Sequence, residues 1–222
     1  MNNFNFFIGV ILFSFFSCRE NEKNNNNQMD LTPTLMDSTL IVKKNLSTKI
    51  AKVEKQIFPD TTVNSKIMLS NDKSLKEFYS NEVSTLERIR ESPVVVFTNK
   101  DNSEYLIAYQ YEGGIKNSFD CFEFGYLKDD ESLVEISKFE TPEIKFTTES
   151  KISLGLNLQE IVNTKGLNFK TEINENLKTV IYRDNDYDNS LFLKKYNMPG
   201  YFMEFTLKDD KLIKVKYGFD YP

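Results

Sequence analysis

Four groups of residues in this chain have types and spacings suited to chemistry, and each lacks a necessary companion. Asp184-Asn-Asp186-Tyr-Asp188-Asn189 places oxygen ligands at alternate positions, like the opening of a calcium loop. Asn189 can stand in for the usual glycine, because Asn tolerates left-handed backbone. The twelfth position is Lys195, where the loop needs a bidentate Glu, so the segment reads as a solvated acidic loop and no metal site is expected. Ser70-Asn-Asp-Lys73 satisfies Ser-x-x-Lys, in which a neutral lysine activates a serine, but its companion motifs are missing. Glu140, Glu143 and Glu149 flank Thr and Pro in a connecting segment, and nothing there sets a pair at the spacing glycoside hydrolysis requires. They read as surface charge. Cys121, within Phe119-Asp-Cys-Phe-Glu-Phe, reads as a small buried hydrophobe. No catalytic residue is assigned from any of these groups.

Composition narrows the chemistry further. The 222 residues contain no histidine. This excludes Ser-His and Cys-His nucleophile pairs, His-containing zinc sites and the easiest general base near neutral pH. The formal net charge is −5 with no Lys/Arg-rich stretch, so nucleic acid is not an expected partner. There is no Gly-rich phosphate loop, and no cofactor is expected. Aromatic residues make up 14% of the chain, with 19 Phe, 11 Tyr and no Trp, which argues for a strand-rich core rather than disorder.

The elements that must position these residues fall into two similar runs. In the first, Ile67-Met-Leu-Ser leads to Leu75, Phe78 and Tyr79, whose spacing places three apolar side chains on one helical face, with Asn71 or Asp72 as the cap. Pro93 bars a helix and opens the strand Val94-Val-Val-Phe97. Tyr105, Ile107, Tyr109 and Tyr111 alternate along the next strand, and Phe119 to Leu127 make a third. In the second run, Ile152-Ser-Leu-Gly leads to Asn157 with Glu160 three residues on, a capping-box start. Leu158, Ile161 and Val162 form the apolar face, and Gly166 stands at the left-handed C-terminal position. Leu177 to Tyr182 extend. Tyr201, Met203, Phe205 and Leu207 then alternate on one strand, Asp209-Asp210 make a turn, and Ile213, Val215, Tyr217 and Phe219 alternate on the next. Aligning Leu75, Glu77, Phe78 and Tyr79 with Leu158, Glu160, Ile161 and Val162 suggests a tandem repeat. The predicted fold is α+β: an antiparallel β-sheet with short helices. It is read as module 1 over 50–140 and module 2 over 141–222, either separate or fused in one continuous domain.

Ahead of these modules, an apolar run from Phe6 to Phe16 ends at Ser17-Cys18. It is shorter than the about 20 residues a bilayer span needs and suits a secretory h-region. A small residue before cysteine at the end of such a run resembles a bacterial lipoprotein signal. That resemblance implies cleavage after residue 17 and lipid attachment at Cys18. It places the mature chain in the bacterial cell envelope, held to the outer membrane by its lipid on the periplasmic or the surface face. With Cys18 acylated, Cys121 has no disulfide partner. Residues 18–49, polar and Asn-rich, read as a flexible tether.

Leu154-Gly-Leu-Asn-Leu-Gln-Glu-Ile-Val-Asn-Thr-Lys-Gly166 resembles the helix opening of β-lactamase-inhibitor-like repeats, shared by the small lipoprotein subunit of the barrel assembly machinery. The resemblance implies short helices packed on an antiparallel sheet, in modules that bind proteins rather than catalyse. Phe192-Leu-Lys-Lys-Tyr-Asn-Met-Pro-Gly-Tyr201 and the ending Lys216-Tyr-Gly-Phe-Asp-Tyr-Pro222 resemble a family of Bacteroidota lipoproteins, which carries no activity over. The expected function is non-enzymatic protein binding, or another accessory role, in the envelope. The alternative is a carboxylate-dependent hydrolase or carbohydrate-active envelope protein.

Overall fold

Two stretches of β-branched and aromatic residues, one in each half of the chain, build two antiparallel meanders that join into one sheet. The computed structural model describes residues 59–81, 86–89, 92–111 and 113–220. The signal segment 1–17, Cys18 and the tether 18–49 lie outside the described residues. The chain begins with a small hairpin, β1 (Thr62–Val63) and β2 (Ile67–Met68), followed by the one-turn helix α1 (Leu75–Phe78). The first meander is β3 (Glu87–Ile89), β4 (Ser92–Thr98), β5 (Glu104–Tyr109) and β6 (Cys121–Tyr126). Two 3-10 turns, Leu127–Asp129 and Glu131–Leu133, lead to β7 (Phe139–Glu140). The second half consists of α2 (Leu158–Lys165), β8 (Lys170–Asn174), β9 (Leu177–Asp184), α3 (Leu191–Tyr196), β10 (Tyr201–Lys208) and β11 (Lys211–Phe219).

The sheet runs in the order β3-β4-β5-β6-β11-β10-β9-β8, with β7 parallel to β4. All other pairings are antiparallel. The fold is therefore α+β and dominated by an antiparallel sheet. Each four-stranded meander follows a helix, α1 or α2, and the last strands of the two meanders pair with each other, β6 with β11. The aligned residues Leu75 and Leu158 each open a helix and are both buried.

One face of the whole sheet carries the main core. Phe97, Phe122, Phe124, Phe205 and Tyr217 are buried there beneath Phe78 of α1 and Leu158, Ile161 and Val162 of α2. α2 starts at the predicted capping box: the Asn157 side chain accepts from the Glu160 N–H, and the Glu160 carboxylate accepts from the Asn157 N–H. The opposite face differs between the halves. On β4 and β5, Val94, Val96, Tyr105 and Ile107 are covered by the segment after β6, whose Leu133 is fully buried with Leu127 and Ile136 alongside. The Lys138 ammonium holds that cover by donating to the carbonyls of Leu133 (2.5 Å) and Ile136 (2.7 Å).

The β1–β2 hairpin straps onto the second half. Asp60 and Lys165, at 3% exposure each, form an ion pair of 2.8 Å. The Asp60 carboxylate also accepts from the Ser150 N–H and hydroxyl, and the Tyr201 hydroxyl donates to the Asp60 carbonyl. The Tyr217 hydroxyl donates to the Thr62 carbonyl at 2.7 Å.

Several details differ from the sequence reading. Ser74, not Asn71 or Asp72, is the residue before α1; the Asn71 side chain closes a turn ahead of it by accepting from the Lys73 and Ser74 N–H groups. β5 stops at Tyr109, because the Asp120 carboxylate takes the Tyr111 N–H and the Tyr111 hydroxyl donates to the Phe219 carbonyl. Gly166 has φ +85° but ψ −173°, so it extends the chain instead of completing a left-handed turn. In the C-terminal hairpin, both turn residues have positive φ (Asp209 50°, Asp210 59°), as a two-residue hairpin turn requires. A bulge at Thr206/Leu207 pairs Leu207 with Leu212, which is fully buried, and moves Ile213 out of the core row.

Candidate functional site

On the second meander no described segment covers the sheet face opposite the helices, and its side chains floor a trough of about 240 Å³. Strand register places its charges in rows. Glu123 on β6 pairs with Lys216 on β11, which pairs with Glu204 on β10, which pairs with Ile181 on β9. The adjacent row runs Gly125, Lys214, Thr206, Thr179, Glu172 across β6, β11, β10, β9 and β8. Strands lie about 4.8 Å apart, so Glu123 and Glu204 sit at a backbone separation of roughly 10 Å with an ammonium between them.

Glu123 is the fixed point of this site. Only 2% exposed, it accepts from the Tyr105 hydroxyl (3.1 Å) and the Tyr109 hydroxyl (3.2 Å) and pairs with the Lys216 ammonium at 3.6 Å. Alternation makes this possible: Tyr105 and Tyr109 lie on the same face of β5, two residues either side of Ile107, which stands opposite Glu123. Burial, and then the neighbouring Glu123 carboxylate, push the Tyr105 hydroxyl pKa well up, so it remains a proton donor across the physiological range. A side chain at Gly125 would meet the Tyr105 hydroxyl at 2.9 Å, so the bare backbone there leaves the ring its place. The Lys216 ammonium also lies 4.9 Å from the Tyr109 ring centre, a cation–π contact.

At the other end of the trough, Arg183 bridges Glu204 (3.9 Å) and Asp220 (3.1 Å) and lies over the Phe202 ring. Thr179 and Thr206 face each other across β9 and β10 at 3.5 Å. Lys214 and Glu172 form no ion pair among the described residues. The floor thus offers charges of both signs and two hydroxyls on a stiff sheet, an arrangement suited to a polar, zwitterionic partner surface.

The residues singled out in the sequence lie elsewhere. Asp184 and Asp186 are engaged around the start of α3, Asp184 accepting from the Ser190 hydroxyl and Asp186 from Asn189, while at Asp188 the backbone carbonyl accepts from Lys194. The Ser70 hydroxyl donates to Asp120 at 2.8 Å. Glu143 holds Asn64 and Lys66, and Glu149 accepts from the N–H and hydroxyl of Thr61, so both tie down the β1–β2 hairpin. Cys121 is buried and free, and burial pushes its thiol pKa up, away from the reactive thiolate. None of these side chains lines the trough.

Sequence reasoning passed over Glu123, Lys216 and Glu204: the last two face each other in the predicted C-terminal hairpin, but Glu123 joins them only through the pairing of β6 with β11, distant in the chain. The one signal present was a lone glutamate inside the apolar run Phe122-Glu-Phe124. Comparison with family models, with curated proteins and with solved structures found no match.

Proposed function

We propose that this protein is a lipid-anchored envelope protein, attached through Cys18, whose folded part binds another protein without catalysis. The open face of the second meander is its binding surface. The observation that carries this reading is the contrast in cover. A dedicated segment seals the outer face of the first meander, whereas the same face of the second presents ordered charges and hydroxyls. Polar, hydrogen-bonding groups of this kind form the rims of protein–protein interfaces. The lipoprotein-like signal and the likeness of Leu154–Gly166 to protein-binding repeats point the same way.

The hydrolase alternative draws on Glu123 and Glu204 standing in one row. Against it, both oxygens of Glu123 are engaged, and Lys216 occupies the space between the two carboxylates where a reacting bond would sit.

The test is crosslinking in intact cells of three chains, native, Cys18→Ala and Lys216→Glu, followed by affinity purification. The reading expects one discrete envelope partner with the native chain, loss from the membrane with Cys18→Ala, and loss of the partner with Lys216→Glu. A native chain that is membrane-bound yet enriches no protein overturns the binding role. Equal capture by Lys216→Glu overturns the assignment of the trough.

A further inference from the structure

Among the described residues β8 ends the sheet, and its outward edge carries a pattern that matches itself. Its five residues, Lys-Thr-Glu-Ile-Asn, are exposed apart from Thr171, which is half-buried. The two-residue turn at 175–176 is closed by the pair Asn174–Leu177. In such a hairpin the closing pair exchanges hydrogen bonds, and bonded and non-bonded pairs then alternate. Asn174, Glu172 and Lys170 therefore turn their backbone groups toward β9, while Ile173 and Thr171 turn theirs outward. An incoming strand can pair with those outward groups.

We propose that the incoming strand is β8 of a second copy, antiparallel and centred on Thr171. Residues directly opposite one another across a strand pair must share a face, which restricts the register to even offsets. Centring on Thr171 sets Lys170 opposite Glu172 of the second copy and Glu172 opposite its Lys170, two attractive pairs made by symmetry. Thr171 faces Thr171 with both outward backbone groups bonded, and Ile173, 58% exposed, stands opposite Phe169 of the second copy. Centring on Glu172 would oppose two like charges, and centring on Ile173 would leave Lys170 outside the pairing. Opposite charges across strands favour pairing, and like charges oppose it.

The two-fold axis of this pairing is perpendicular to the sheet, so both troughs open on the same side. Lys170 of the second copy arrives beside Glu172, a trough residue, so each copy completes the rim of the other's site. A five-residue strand pair buries far less than the about 1,200 Å² of a standard interface. The dimer is accordingly weak in dilute solution and populated where a common surface raises local concentration. The pairing itself follows from backbone and charge pattern; its enrichment on a common surface rests on the lipid-anchor reading above, and purified protein tests the pairing without it.

Single cysteines read the register directly. Bonded antiparallel pairs hold their Cα atoms about 5.5 Å apart, within the range a disulfide spans. In the full-length chain under mild oxidation, in intact cells and again on purified protein, Thr171→Cys is expected to give about tenfold more disulfide-linked dimer than Ile173→Cys. The unsubstituted chain supplies the background from Cys18 and Cys121. Added to Thr171→Cys, Lys170→Glu or Glu172→Lys alone should lower the dimer yield about threefold or more, and the two together should restore it. All four positions lie on the edge strand, three of them exposed and Thr171 half-buried, and unchanged circular dichroism and thermal midpoint establish that the variants fold. Equal yields from Thr171→Cys and Ile173→Cys, a higher yield from Ile173→Cys, or no rescue by the double charge reversal each overturn the pairing.

Discussion

The two meanders share an element order and a core face, and they differ in what covers the other face. In the first, Val94, Val95, Val96 and Phe97 are all buried, because helix α1 lies on one side and the Leu133 segment on the other. In the second, Thr179, Glu204 and Thr206 on the trough side of β9 and β10 stay partly exposed, although Ile181 and Phe202 on that side are buried. A strand covered on both sides serves stability, and one left open on a single side is free to recognise a partner. Charge follows the same division. The two carboxylates whose pKa burial raises, Glu104 and Asp120, belong to the first half, whereas the trough glutamates Glu172 and Glu204 remain reachable by solvent.

The largest expected effect comes from breaking the strap that fastens the N-terminal hairpin to the second half. Lys165→Met leaves the Asp60 carboxylate buried without its cation and should cost about 3–5 kcal/mol. Urea unfolding measures this, and Asp60→Asn combined with Lys165→Met should recover part of the loss.

Next in size, Leu133→Ala opens the cover over the first meander. It should cost about 2–4 kcal/mol, as a buried leucine truncation with a residual cavity does. Thr206→Ala, on the open face of the second meander, should stay within about 0.5 kcal/mol. Equal losses at the two positions would erase the contrast between the faces.

A pH series sharpens the comparison further. Burial raises the folded-state pKa of Glu104 and Asp120, so the folded chain holds more protons than the unfolded one in that interval. Stability contributed by these groups is complete below their unfolded pKa and falls as pH rises through the folded value. Asp120→Asn, which can still accept the Ser70 hydroxyl, should therefore gain stability relative to the native chain as pH rises from about 4 toward neutrality. The sign of that difference is the readout. A gain that shrinks with rising pH would show that burial does not dominate at Asp120.

The same contrast explains what could be read from the chain. The C-terminal hairpin was plain because one-sided burial writes itself as alternation: Tyr201, Met203, Phe205 and Leu207 point one way and Glu204, Thr206 and Lys208 the other, with Phe202 the apolar exception. Its bulge was not, since a single inserted residue shifts Ile213 for Leu212 without disturbing composition. The run Val94–Phe97 marked a strand but concealed its faces, both being buried. β8, with only one apolar residue, gave no periodic signal, and its place at the sheet edge depends on pairing with β9. The capping box at Asn157 was readable because its two bonds are local. The trough was not, because Glu123 meets the Glu204–Lys216 pair of that hairpin only through register between β6 and β11, strands from the two halves.

Site-specific photocrosslinking in intact cells tests the central assignment most directly. The crosslinking residue would be placed at Thr206 on the trough floor and, as a control, at Ile144, which is 80% exposed and does not line the trough. A binding surface on the open face predicts a discrete adduct from Thr206 and none from Ile144. Adducts of the same size from both positions, or from Ile144 alone, would contradict it.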